Sequence, residues 1–67
     1  MKYDFGDLRK ICERLTFNTE QKYKIRLLGE QYFILLNGQI LFQTSELKEA
    51  REYLINLEAR LKSKGLF

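Results

Sequence analysis

The chain predicts an α+β domain of order α-β-β-β-α, in which a three-stranded antiparallel meander is packed by two helices. Three observations carry this. Apolar residues recur at helical spacing at both ends of the chain, and between them, over residues 22–43, the period changes to two. Two short glycine-containing breaks, Gly29-Glu30 and Asn37-Gly38, divide that middle segment into strand-length pieces.

The first helix is expected over about residues 5–16. Asp4 is a good N-cap, and Asp7 is placed three positions on to complete a capping box. Phe5, Leu8, Ile11, Cys12 and Leu15 form the apolar stripe, with Arg9, Lys10, Glu13 and Arg14 on the other side. Phe17-Asn18-Thr19-Glu20 reads as a connection, with Phe17 folding back onto the core. The first strand is expected over about 22–28, where Lys22, Lys24 and Arg26 alternate with Tyr23, Ile25 and Leu27. Gly29 at the first central position suits a type II′ turn, and Asn-Gly is the strongest short signal for type I′. The second and third strands then fall at about 31–36 and 39–43. Thr44 or Ser45 is expected to cap the last helix, about 45–64, with Glu46 and Glu49 complementing its dipole. Leu47, Ala50, Leu54, Leu57 and Leu61 form its stripe, and Gly65 is a natural residue to end it.

The stretch FILLNGQILF (Phe33–Phe42) is apolar on both sides of its turn, so both faces of the hairpin need cover. In antiparallel pairing, directly opposed residues share a face. The Asn37-Gly38 turn is expected to pair Leu35 with Ile40 and Phe33 with Phe42 on one face, and Ile34 with Leu41 on the other. A two-residue turn at Gly29-Glu30 sets Leu27 opposite Tyr32 and Ile25 opposite Ile34; a three-residue turn would slip the register by one. The main core face is then Tyr23, Ile25, Leu27, Tyr32, Ile34, Leu36 and Leu41. The second face carries Phe33, Leu35, Ile40 and Phe42 beside Lys24 and Arg26, and is covered by a helix of the same chain or by a second copy. A last helix of about 20 residues would be ~30 Å long, and strands of about six residues span ~20 Å. Leu57 and Leu61 are expected on the overhang, with Leu66 and Phe67 just beyond, unless the first helix packs beneath it.

The 67 residues make one domain, 1–67, too small to be more than marginally stable on its core alone. With one cysteine and no histidine, neither an internal disulfide nor a structural zinc site can supplement that core, which leaves oligomerisation. The longest apolar run, Tyr32–Leu36, is far below the ~20 residues of a membrane helix. Two aspartates near the start interrupt any signal-peptide core, and an unpaired thiol suits a reducing compartment, so a cytoplasmic location is expected.

Catalysis has little support in the residue types. Without histidine there is no ordinary general base near neutral pH and no Ser-His or Cys-His pair. Cys12 lies on the apolar stripe, where a thiol is inert. Glu46, Glu49, Glu52 and Glu58 are spread among cations and are expected on a solvated helix face. The four glycines form no phosphate loop, and no cofactor is implied.

Net charge is +3. The basic stripe Lys22, Lys24 and Arg26, joined by Arg9, Lys10 and Arg14, is a candidate polyanion-binding surface. Its structural alternative is protection of an edge strand against unwanted pairing. The α-β-β-β-α order resembles that of double-stranded-RNA-binding domains over the whole chain. That family grips phosphate with a lysine-rich start to its last helix, whereas this chain has TSELKEAREYL there, so the resemblance is one of topology. In composition and compactness the chain also resembles the small basic proteins carried by prophages of Gram-positive bacteria, which implies a helper or regulatory role exercised by binding. The expectation is a non-enzymatic protein-protein interaction module that forms a homodimer through Phe33, Leu35, Ile40, Phe42, Leu57, Leu61, Leu66 and Phe67. Nucleic-acid binding through Lys22, Lys24 and Arg26 is the alternative.

Overall fold

A computed structural model describes residues 4–65 and has the element order α1 (Phe5–Thr19), β1 (Tyr23–Leu28), β2 (Gln31–Leu36), β3 (Gln39–Thr44) and α2 (Leu47–Ser63). The strands form one antiparallel sheet in the order β1-β2-β3. Leu66 and Phe67 lie outside the described residues.

The expected capping box opens α1. Asp4 Oδ1 accepts from the Asp7 N–H at 3.1 Å, and Asp7 Oδ2 accepts from the Asp4 N–H at 2.9 Å. The helix does not stop near Thr16 but runs one turn further. In that turn the side chains of Asn18 and Thr19 donate back to the carbonyls of Arg14 and Leu15, so the polar residues that suggested a connection instead bond along the helix. Phe17 is carried onto the outer side and is 84% exposed, contrary to the expected fold-back. The helix ends at Glu20, held left-handed at φ 62° with its N–H donating to the Thr16 carbonyl. Because a Cβ is disfavoured there, Glu20→Gly is expected to stabilise the domain by about 0.5–1 kcal/mol. An upward shift of the urea midpoint would show this; a downward shift would mean the position is unstrained.

Both hairpin turns form as expected. Gly29 alone has positive φ in the first, as type II′ requires, and Asn37 and Gly38 both have positive φ in the second, as in type I′. Asn37 does more than turn the chain. Its Oδ1 accepts from the Lys22 N–H at 3.0 Å, its own N–H donates to the Lys22 carbonyl at 2.8 Å, and its Nδ2 donates to Gln21. The turn is thereby tied to the entrance of β1.

The first hairpin keeps the two-residue register, with Leu27 opposite Tyr32 and Ile25 opposite Ile34. The second departs from it. Leu36 pairs with Gln39 and Leu35 with Ile40, but Ile34 then pairs with Phe42 and Phe33 with Gln43. Leu41 is therefore an extra residue in a β-bulge, which reverses the phase of the rest of β3. Phe42 moves to the face of Ile34, where it stacks on Tyr53 of α2 with ring centroids 4.5 Å apart and planes within 6°. The expected Phe33–Phe42 and Ile34–Leu41 pairs are thus both replaced.

Both helices pack on one face of the sheet, α1 against β1 and α2 against β3 and β2, and they also touch each other. Leu8, Leu15, Ile34 and Leu54 are fully buried in the layer between, with Ile11, Cys12, Tyr23, Ile25 and Ala50 around them. Leu27 and Leu41, expected in this core, are 47% and 39% exposed, the first at the far end of an edge strand and the second in the bulge. Leu57, Leu61 and Ile55 pack on the core cluster, because α1 lies beneath the end of α2 and leaves no bare overhang. The N-cap of α2 is Glu46 rather than Thr44 or Ser45. Thr44 still serves that end: its buried hydroxyl accepts from the Glu46 N–H at 3.1 Å and donates to Glu49 Oε1 at 2.6 Å. Gly65, at φ 74°, closes the other end as expected.

Candidate interaction surfaces

Both helices stack on one side, and among the described residues no element layers the second face of the sheet. Read across the strands, this face carries Lys24, Leu35 and Ile40 in one row and Arg26, Phe33 and Gln43 in the next. Phe33 and Leu35 are half-buried by their neighbours, and Ile40 is 58% exposed. Of the expected interface set, the fold brings Phe33, Leu35 and Ile40 together here. It turns Phe42 to the helix side and packs Leu57 and Leu61 against the core cluster.

The cations separate in a way the sequence did not indicate. Lys24 and Arg26 sit on the open face and are exposed, and Lys22 lies just before β1. Arg14 leaves the basic group altogether. Its guanidinium donates through Nε to Glu58 Oε2 at 3.0 Å and through Nη2 to Oε1 at 3.1 Å, a two-pronged ion pair joining α1 to α2. Glu58 is buried, which corrects its assignment to a solvated face. The hydrogen bonds from Arg14 hold its carboxyl below the ordinary carboxylate value; burial opposes this, and the charges of Arg14 and Lys62 assist it. The same hydrogen bonds raise Arg14 further. No pattern in the sequence announced the pair, since its members are 44 positions apart and each stands among other charges.

Along the outer edge of β1 runs an open groove of about 940 Å³, bounded on the other side by α1. Every residue from Lys22 to Leu28 lines it, as happens when a strand's edge rather than one of its faces borders the space. Phe5, Arg9, Cys12, Glu13, Thr16 and Phe17 supply the α1 wall. In a two-residue hairpin the pairs Leu28–Gln31, Arg26–Phe33 and Lys24–Leu35 carry the hydrogen bonds to β2, so the N–H and C=O of Tyr23, Ile25 and Leu27 point outward. Those of Tyr23 are satisfied by Thr16, whose hydroxyl accepts from the Tyr23 N–H at 2.9 Å and lies 3.2 Å from its carbonyl oxygen. Among the described residues those of Ile25 and Leu27 have no partner. Cys12 opens onto the groove only slightly. Burial, and then the charge of Glu13, pushes its thiol up to about 11, so it stays protonated near neutral pH and is a poor nucleophile.

Among the described residues there is no cluster of three or more His, Cys, Asp or Glu able to hold a metal ion, and no helix is long and apolar enough to cross a membrane. Comparison with known protein families, curated proteins and solved structures finds no match for this chain.

Proposed function

We propose that the domain is a non-enzymatic protein-interaction module that pairs with a second copy of itself through the open sheet face. The observation that supports this most is the placement of both helices on one side, which leaves Phe33, Leu35 and Ile40 at the centre of a face that no other described element covers. Self-pairing fits the charge layout. A two-fold axis parallel to β2 sets the β1 of one copy against the β3 of the other, so Lys24 meets Ile40 and Arg26 meets Gln43 rather than each other. Six-residue strands three abreast cover roughly 20 by 14 Å, about 280 Å² in projection, so two copies would cover about 560 Å² between them. That is below the usual range of stable interfaces, and weak association, populated at high micromolar concentration, is expected. A helper or regulatory role in the manner of small prophage proteins accords with such a module.

Sedimentation equilibrium at high micromolar concentration tests the reading. A dimer mass is expected for the native chain, and a monomer mass with an unchanged helical spectrum for Phe33→Glu and for Ile40→Lys. A native chain that stays monomeric refutes it. A second reading is favoured by one feature of the same face, the juxtaposition of Arg26 with Phe33 and of Lys24 with Leu35, which could track phosphate and stack a base. Binding of single-stranded oligonucleotide at low salt that is lost in a Lys24→Glu/Arg26→Glu variant would support that alternative, and no binding at low salt would end it.

A further inference from the structure

We infer that the groove between β1 and α1 is a second binding site, one that takes an extended peptide segment alternating acidic and apolar residues as an added fourth strand. The unpaired backbone groups of Ile25 and Leu27 are the docking points, since a strand laid on this edge would complete their hydrogen bonds. Thr16 closes the edge at Tyr23 and so fixes where the added strand must stop.

The side-chain pattern follows from the pleat. In an added strand, alternate residues face the side of Lys24 and Arg26, and the ones between face α1 beside Ile25 and Leu27. The first set therefore meets exposed cations and favours carboxylates. The second meets Leu27 and Phe5 at one end of the groove and Phe17 at the other, and favours apolar side chains. Among the described residues the lining carries Arg9, Lys22, Lys24 and Arg26 against the acid Glu13, a balance that selects an acidic occupant. It also disfavours a second copy here, because antiparallel pairing of two β1 edges about Ile25 sets Lys24 opposite Arg26 and like charges repel across strands. Phe17 gains a role it lacks in the core, as an exposed aromatic wall at the closed end.

The site shares Lys24 and Arg26 with the open face but takes its backbone docking points from the edge of β1, and it can be tested on the full chain by fluorescence anisotropy. The probe is a labelled peptide of about eight residues alternating glutamate and valine, long enough to span a short strand. The control is the same peptide with lysine for glutamate. The acidic peptide is expected to bind and the basic one not to. Lys24→Glu/Arg26→Glu should reverse that preference, with the acidic peptide weakened roughly tenfold or more as two cross-strand attractions become repulsions. Leu27→Pro removes an outward N–H without breaking the β1–β2 ladder and should abolish binding. Phe17→Ser leaves the core intact, so it is expected to fold fully while weakening binding, which covers the case in which the proline variant unfolds. Amide exchange in the complex should slow at Ile25 and Leu27. Equal binding of the two peptides, binding indifferent to both Leu27→Pro and Phe17→Ser, or a preference for oligonucleotide over the acidic peptide would each overturn the proposal.

Discussion

Replacing Leu54 with alanine is expected to cost about 2–5 kcal/mol and to leave much of the protein unfolded at room temperature. Leu54 is fully buried on α2, the one helix in contact with α1, β2 and β3 alike, so a cavity at this position weakens the packing of every layer at once. A domain of 67 residues has a total stability of only about 3–10 kcal/mol on the usual per-residue scale, so a single core truncation removes a large part of it. No disulfide is there to limit the unfolded state, since Cys12 is the only cysteine and is free. Leu28→Ala, at an exposed position beside the first turn, should stay within about 0.5 kcal/mol. Urea titration checks both, at a fixed low protein concentration because self-association would add concentration-dependent stability. A loss below about 1 kcal/mol for Leu54→Ala would mean that the helices can close over the vacancy and that the core is softer than its burial implies.

The element order was legible in the sequence because each element announces itself locally. The Asp4–Asp7 box, the Asn37-Gly38 turn and the leucine stripe of α2 are short-range patterns with one good structural solution each. What stayed hidden depends on contacts between elements. Both strands of the second hairpin are apolar on both sides, so periodicity could not say which face the helices take. The bulge at Leu41 has no glycine to mark it. It forms because the Asn-Gly turn fixes Leu36 against Gln39 while Phe42 gains more by stacking on Tyr53 beneath α2 than by facing out, and one extra residue satisfies both. The same limit applied at Phe17. Thr16, Asn18 and Thr19 look like loop residues, yet their side chains bond within the helix and to the edge of β1, which carries α1 a turn further and turns Phe17 outward. Of the candidate surfaces, the trio Phe33, Leu35 and Ile40 was readable from strand alternation. The groove was not, because it depends on how closely α1 approaches β1.

The Arg14–Glu58 pair should give the domain a recognisable acid-side dependence of stability. Glu58's carboxyl is held below its unfolded value of about 4.3 by the Arg14 hydrogen bonds. A group whose folded pKa is depressed contributes stability that is fully present above the unfolded pKa and is lost as pH falls through the folded one. The native chain should therefore weaken from about pH 5 downward through this pair, and Glu58→Gln should not. At pH 7 the glutamine variant is expected to be about 1–2 kcal/mol less stable, the cost of two charge-assisted bonds moderated by solvent, since the Arg14 side chain is 53% exposed. As pH falls through the folded pKa the two stabilities should converge. The two proteins differ only at residue 58, so the difference between the two pH curves isolates its carboxyl. Arg14→Ala tests the cause of the depression. With the guanidinium gone, the largest lowering influence is removed and Glu58 is opened to solvent, so its folded pKa returns toward the unfolded one. Its pH-dependent contribution then falls away. Between acid and neutral pH the alanine variant should run parallel to Glu58→Gln while the native chain gains on both. Parallel curves for native and Glu58→Gln would mean that Arg14 and Glu58 are as well solvated apart as together, and that α1 and α2 are held by their apolar contacts.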